Sequence, residues 1–402
     1  MGKIYFRTLA YNAEKTIRRC VDSILNQTYR SEDVVLYICD NGSTDGTYDI
    51  LKEYAEKDSR VVLYQNKKNH VWEGEEIRPF KDMTVSLKED DYFCALDADD
   101  SYELNFLEEM IPFLEENKLD IAVCGSNHIS GENNLLLGKR CVENNLFVLT
   151  PEAFSDCFQE YHGFMRTVWG KVYNKRAAEA LGFFEHLPEE RKHLKNQLDY
   201  GCDTFLTFSA LREAERVGVY KGILHNYYIS RKSVSYQYSE NRIYSDKILY
   251  DDALEFLNVK CGQVSIKNQL FIQMVYHNAL NDTIKVLVSS DATGEQKLHD
   301  IFDIFSDERT LASITLGQYA EPNQGFLEIR KHLFDFAINF FKDNIQYMPE
   351  EKFLELCYAA ELMSATVENA ELWLFFKKRR INYYVIKNMF LEARELLDEL
   401  LE

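Results

Sequence analysis

The chain is poor in residues that break or loosen structure. Its 402 residues include only six prolines and 17 glycines, which excludes a collagen-like repeat and a Pro/Gly-rich disordered chain. No C-x-x-C pair occurs among its nine cysteines. Their odd number, and their place inside apolar runs such as VVLYICD (Cys39) and YFCALD (Cys94), predict reduced thiols used as small core residues in the cytoplasm. No run reaches the roughly 18 apolar residues of a membrane-spanning helix. The start, MGKIYFRTLAYN, has no long apolar region and no cleavage site, so no signal peptide is expected. Positive charge is also scarce: 46 Lys+Arg against 66 Asp+Glu leave a net charge of −20. General nucleic-acid binding, which needs a basic surface, is thereby disfavoured. A small phosphate ligand whose charge a bound cation offsets is not.

What is present is an ordinary soluble composition, 46% hydrophobic and 28% charged, in a chain long enough for two or three domains. The first half alternates strand-like apolar runs with helical patterns. IYFRTLA (4–10) is followed by Ile17, Cys20, Val21, Ile24 and Leu25 at helical spacing. VVLYIC (34–39) ends in DNGSTDGT, a turn cluster able to cap the helix carrying Ile50, Leu51 and Tyr54. VVLYQ (61–65), DYFCAL (91–96) and IAVCG (121–125) read as further buried strands. Such repetition predicts a mostly parallel sheet with helices on both faces, binding its ligand at the carboxyl ends of the strands. From about Tyr244 the pattern is helical. Leu270, Phe271, Met274, Val275 and Asn278 share one expected face. Phe326, Ile329, Leu333, Phe334, Ala337 and Phe341 share another. These patterns predict an α/β domain over 1–240 and an all-α domain over 241–402.

The glycine signatures of phosphate binding are missing. AYNAEKT follows the first strand without G-x-G-x-x-G, and no G-x-x-x-x-G-K-[ST] occurs. A site must instead be built from carboxylates at strand ends. Asp40, ending the second run, can accept hydrogen bonds from a base or a ribose hydroxyl, or simply cap its own turn. Asp97, Asp99 and Asp100 follow YFCA, and in extended chain residues 97 and 99 face the same way. Three acids together call for a hard cation, Mg²⁺ or Mn²⁺, or else form a solvated helix start. An EF-hand reading places Tyr102 where the loop needs glycine. His225 reads as a core histidine rather than a metal ligand.

In order, TLAYNAEKTIRRCVDSILNQTY, DNGSTDGT, LDADD, Trp169-Gly170-Lys171-Val172-Tyr173, Gly201-Cys202-Asp203-Thr204-Phe205 and Tyr227-Tyr228-x-x-Arg231-x-Ser233-x-Ser235 resemble family 2 glycosyltransferases of the GT-A fold over residues 3–240. The resemblance implies a metal-dependent inverting enzyme. Its donor would be a nucleotide sugar, a UDP-sugar by the role of Asp40, and its acceptor a carbohydrate-containing molecule. Thr8, Ala10, Tyr11, Asn12 and Glu14 would line base and ribose. Asp40 would hold the uracil edge, and Asp97 would touch ribose or sugar, with Trp169 in the same donor set. Asp99 would hold the metal, Mn²⁺ or Mg²⁺, and Asp203 would be the catalytic base. Arg231 would approach the diphosphate. The chain departs from the pattern before LDADD, where Arg78 stands in an altered spacing, and at Cys202, where Glu commonly precedes the base.

Two rival classes remain. A nucleotidyltransferase would bring a Gly-rich basic loop after the first strand. A non-catalytic nucleotide-sugar-binding module would have no use for Asp203. Near the C-terminus, Trp373, Phe375, Phe376, Tyr383 and Tyr384 flank the basic run Lys377–Arg380. That segment is compatible with a core helix, with a homo-oligomer formed through the C-terminal helices, or with peripheral contact to an anionic membrane.

Overall fold

Alternation along the first strand sets the layering. In the computed structural model, which describes residues 2–69, 87–181, 193–194, 198, 200–230, 237–239, 241–316 and 324–401, β1 (Ile4–Ala10) buries Ile4, Phe6, Thr8 and Ala10 on one face. Tyr5, Arg7 and Leu9 point the other way. The helix Ile17–Leu25 buries the face expected from its spacing, with Ser23 added. β2 (Val34–Asp40) and β3 (Val61–Gln65) follow, with the helix Thr47–Lys57 between them. Asp45 starts that helix by accepting from the Thr47 N–H at 3.0 Å. β4 (Tyr92–Ala95), β5 (Ser101–Tyr102), β6 (Ile121–Ser130), β7 (Leu136–Arg140), β8 (Leu146–Val148), β9 (Lys171–Asn174) and β10 (Val217–Ile229) complete a ten-stranded sheet among the described residues.

The sheet is mixed. Its order is β3-β2-β1-β4-β9-β6-β10-β5, with β7 on β6 and β8 on β10. β3, β2, β1 and β4 are parallel, as the repeating pattern predicts. The mostly parallel expectation ends there. β9 joins antiparallel to both β4 and β6, and β7, β8 and β5 are antiparallel additions to the long parallel pair β6–β10. One edge of β6 pairs first with β9 and further along with β7, and β10 is shared likewise between β8 and β5. The core under the parallel half includes Phe6, Ile24, Leu36, Phe106 and Ile111, all fully buried. Each large apolar side chain so buried contributes about 1.5–3 kcal/mol.

The chain divides into two compact units, residues 1–235 with 255–263, and residues 236–254 with 264–402. The second is helical, with a core of Leu280, Phe302, Phe305, Leu333, Phe334, Phe341, Leu356 and Phe376. In Gln324–Asp343 the predicted face is the buried one, apart from half-buried Ile329. In Ile266–Ser289 it is not. The buried face runs through Asn268, Ile272, Gln273, Tyr276, His277, Leu280 and Ile284, and Asn278 is exposed. A polar network explains the rotation: Gln273 donates to the Tyr250 hydroxyl at 2.7 Å, and Thr283 donates to Asp246 at 2.6 Å. The basic run is also divided. Lys377 pairs with Glu399 at 2.5 Å and Arg380 with Glu361 at 2.9 Å, leaving Lys378 and Arg379 exposed. None of the nine cysteines is disulfide-bonded, and six are buried. No helix among the described residues is long and apolar enough to cross a membrane.

Asp120, just before β6, ties the sheet to both flanking segments. It accepts from the N–H groups of Glu215 (2.7 Å) and Arg216 (2.9 Å), from Asn174 (2.7 Å) and from Arg176 (2.7 Å). Burial alone would raise its pKa, but these donors outweigh burial and the net direction is down. Its stabilisation is therefore complete above the ordinary carboxylate range and lost as pH falls through the depressed value. Asp120→Asn is expected to cost about 2–3 kcal/mol at pH 7. Urea titrations of both proteins should show the gap closing below about pH 4; a gap independent of pH would deny the carboxylate this role.

Candidate active site

Parallel register brings the strand ends together. β1 pairs with β2 so that Ala10 faces Asp40, and with β4 so that Arg7 faces Ala95. The Asn41 N–H donates to the Ala10 carbonyl at 2.7 Å and continues that edge. Asp40 is fully buried. It accepts from the Ser43 N–H at 3.3 Å and from Gln65 Nε2 at 3.4 Å, so it does cap its own turn. Gly42 makes this corner possible: its φ is +75°, and a Cβ there would lie 2.5 Å from the Lys68 carbonyl carbon.

The residues after β1 grip the same turn. Asn12, at φ +49°, donates from its N–H to Ser43 Oγ (2.9 Å) and accepts from the Thr44 N–H (2.8 Å). Glu14 donates from its N–H to Asp45 and accepts from the Gly46 N–H at 3.3 Å. Thr8 and Ala10 turn their side chains into the core. Tyr11 is 46% exposed and presents its ring. The structure thus brings together Asp40, Asn12 and Glu14, with Tyr11 open beside them. Arg231 and Arg78 lie outside the described residues.

Beyond β4 the chain turns tightly, the Asp100 N–H donating to the Asp97 carbonyl at 3.1 Å. One ligand oxygen each from Asp97, Asp99 and Asp100 can be drawn so that all lie within 4.8 Å of one another. Entry into β5 at Ser101 rules out the EF-hand alternative, which needs a continuing loop there. Asp97 and Asp99 are exposed as residues and Asp100 is not. Protein nonetheless hems in the Asp97 carboxyl group. Desolvation, then Asp203 and Asp99, push its pKa well up, and Arg7 opposes them. Desolvation also raises Asp99, and raises Asp100 together with its two acidic neighbours. Crowded, desolvated carboxylates of this kind fit a hard divalent cation by charge and by donor type.

Asp203 lies in the first turn of the helix Cys202–Glu213, whose start Gly201 makes in a left-handed conformation, φ +76°. Desolvation raises its pKa, opposed by Arg7, a hydrogen bond from the Val168 N–H, and Lys171. Lys171 is fully buried, with its amino group held by the carbonyls of Thr167 and Trp169. Burial, then Arg140, push the Lys171 pKa well down, and Asp203 opposes them. Thr204 and Thr207 donate to the carbonyls of Arg166 (2.9 Å) and Thr167 (3.2 Å), fastening that loop to the helix. Trp169 is buried, its ring stacked on His225 at 4.2 Å and on Tyr227 at 5.3 Å, with the Arg140 guanidinium 5.1 Å from its centre. His225 is a core residue, as expected.

Sequence reasoning missed Arg7, Arg19 and the part played by Lys171. Arg7 is the cation whose charge opposes the rise of both Asp203 and Asp97, and burial lowers its own pKa to about 10. Its signal was a lone charge in the middle of an apolar strand. Arg19 lies 3.4 Å over the Tyr228 ring and donates to the Asp99 carbonyl at 2.5 Å.

The sequence model of Glycosyl transferase family 2 matches residues 8–182. Residues 8–182 are a family 2 glycosyltransferase domain. Asp203 and the helical unit lie beyond the matched stretch. The chain is 27% identical over 179 residues to the glycosyltransferase GlyA of Streptococcus pneumoniae, covering 43% of this chain and 24% of that protein. It is 23% identical over 272 residues to the putative glycosyltransferase EpsH of Bacillus subtilis, covering 67% and 73%. It spans about half, 55%, of the glycosyltransferase EpsJ of the same organism. A crystal structure of S. aureus TarS in complex with UDP superposes with a TM-score of 0.51 at 14% identity, covering 94% of this chain and 91% of that one. That likeness is one of fold, in keeping with the GT-A arrangement of this family 2 domain.

Arg7 offers the test of this charge balance. Arg7→Met should destabilise the protein by about 1–3 kcal/mol at pH 7.5 in metal-free buffer. The folded-state pKa values of Asp97 and Asp203 are already raised, so the strain exists only while they are ionised. It is relieved as pH falls through those values. Unfolding midpoints should therefore converge on acidification; an equal loss at pH 7.5 and pH 4.5 would assign Arg7 to packing alone.

Proposed function

We propose that this glycosyltransferase moves a sugar from a UDP-sugar to a hydroxyl of a carbohydrate-containing acceptor, with inversion at the anomeric carbon. The observation that carries the proposal is the turn of three carboxylates, Asp97, Asp99 and Asp100, whose ligand oxygens lie within 4.8 Å of one another, with Asp203 and Arg7 close enough to act on Asp97 through their charge. An acid near, but not part of, a three-carboxylate turn suits a base working beside a diphosphate site. Among relatives, the E. coli protein WfaP, 33% identical over 110 residues, is named a UDP-Glc:alpha-D-GlcNAc-diphosphoundecaprenol beta-1,3-glucosyltransferase. TarS was crystallised with UDP. Both support a UDP-linked donor.

In the proposed reaction Asp203 accepts the acceptor hydroxyl proton as that oxygen attacks the anomeric carbon. The bond from that carbon to the diphosphate oxygen breaks, and UDP leaves with the electron pair. One base is sufficient, because single displacement forms no glycosyl-enzyme. The Asn12–Glu14 turn and Tyr11 receive the nucleoside, with Asp40 fixing the turn behind them. Asp99, with Asp97, holds Mn²⁺ or Mg²⁺, which when bound offsets the charge of the diphosphate. A nucleotidyltransferase is disfavoured by the absence of a glycine-rich basic loop after β1.

Purified protein incubated with a panel of nucleotide sugars should release UDP in Mn²⁺ and not in EDTA. Asp99→Ala should abolish release, and its full activity in EDTA would remove the metal from the scheme. Asp203→Asn should bind donor normally and lose transfer by at least about 100-fold, since an amide accepts no proton. Equal losses in donor affinity and rate would make Asp203 a donor-binding residue instead.

A further inference from the structure

The third acid of the turn differs from the first two. Asp100 is fully buried, and its Oδ1 accepts from the Tyr228 N–H of β10 at 2.8 Å. Its Oδ2 faces Nε2 of His225, also on β10 and also fully buried, at 3.3 Å. Among the described residues neither of these two atoms has a hydrogen-bonding partner, so their approach is a close contact and not an aligned hydrogen bond. A buried carboxylate oxygen without a donor is unfavourable, and the imidazole is the group that faces it. The far side of the ring fits that assignment. The Ser126 hydroxyl lies 3.3 Å from Nδ1 and can donate to it, leaving the hydrogen on Nε2. Ring orientation is fixed as well. Trp169 stacks on one face at 4.2 Å and 16°, and Tyr102 meets the ring edge-to-face at 5.4 Å.

We propose that His225 is a positioning residue. Oriented by Ser126 and Trp169, it holds Asp100 against β10 and thereby fixes the turn that presents Asp97 and Asp99 to the divalent cation. The inference rests on the reaction proposed above. Its mechanical basis is that β10 grips Asp100 at two points, residues 225 and 228, while His225 and Asn226 pair with Tyr102 and Ser101 of β5. The turn is thus clamped from behind, and Asp97 and Asp99 are left with open oxygens. A histidine that only filled space would do none of this, and a phenylalanine would replace it without effect on the cation.

The test measures Mn²⁺ binding to the full chain in saturating UDP, by the electron paramagnetic resonance signal of free Mn²⁺, so that transfer is not the readout. His225→Phe keeps the stack and removes both nitrogens. It should weaken Mn²⁺ at least about 10-fold, the usual scale for a residue supporting metal ligands. The Mn²⁺ needed for half-maximal transfer should rise in step, with the rate recovered at high Mn²⁺. His225→Gln, whose amide can reach Asp100, should restore most of the affinity. A folded His225→Phe variant that binds Mn²⁺ as wild type does overturns the proposal. If that variant does not fold, Ser126→Ala decides: weaker Mn²⁺ binding supports the relay, and unchanged binding overturns it. Failure of the wild type to bind Mn²⁺ with UDP overturns the metal site itself and this inference with it. Unchanged variants beside a binding wild type leave the metal site standing and remove only His225.

Discussion

Carboxylates crowded at one end of a sheet are the constraint around which the first unit is organised. Parallel pairing of β1 with both β2 and β4 makes their carboxyl ends emerge side by side. Asp40 and the Asp97–Asp100 turn follow from that register, and the helix starting at Cys202 adds Asp203. Like charges so close, and so poorly hydrated, oppose one another's ionisation. The protein answers with basic groups set among them. Arg7 projects from β1 itself. Lys171 is held by backbone carbonyls of the loop that Thr204 and Thr207 fasten to the helix of Asp203. The loop, the helix start and the strand are in this sense parts of one electrostatic arrangement.

Its local parts were legible in the sequence. β1, β2, β3 and β4 are short apolar runs bounded by turn residues, and the helix Ile17–Leu25 has clean three-and-four spacing. Acids at the ends of such runs could be located without knowing which strands pair. The antiparallel half was not legible in the same way. β6 continues from IAVCG into the polar SNHIS, and β10 carries glycine and lysine before LHNYYI. Both strands are defined by their partners rather than by their own periodicity. The buried face of Ile266–Ser289 was misread for a related reason. Gln273 and Thr283 face inward because Tyr250 and Asp246 satisfy them there, a condition no pattern of apolar residues can express.

The basic run near the C-terminus illustrates how linear charge misleads on a helix. Four consecutive cations are spread by about 100° each around the axis, so residues 377 and 380 share a side and 378 and 379 do not. Glu399 and Glu361 take the first pair, and Glu361 is itself buried. What reads as a patch of four is two internal ion pairs and two exposed side chains. An interfacial helix would need its cations on one outward face beside the aromatics. Lys377 instead lies inward, its ammonium 4.9 Å from the centre of the Trp373 ring.

The acids of the first unit also divide by what surrounds them. Asp100 has a backbone donor on one oxygen and an imidazole facing the other, with no exposure. Such a carboxylate is anchored, and its ability to bind anything further is small. Asp97 and Asp99 are exposed as residues, although desolvation still raises both carboxyl groups. Asp203 is intermediate: burial pushes its pKa up while Arg7 and Lys171 pull it down, with a net rise. In the proposed reaction the base would have to be ionised before it acts and hold the proton once it has taken it. Full charge compensation would make the carboxylate stable and weakly basic, and none would leave it protonated. Two basic groups, Arg7 and Lys171, oppose the desolvation that raises Asp203, and Arg7 also opposes the rise of Asp97 in the neighbouring turn.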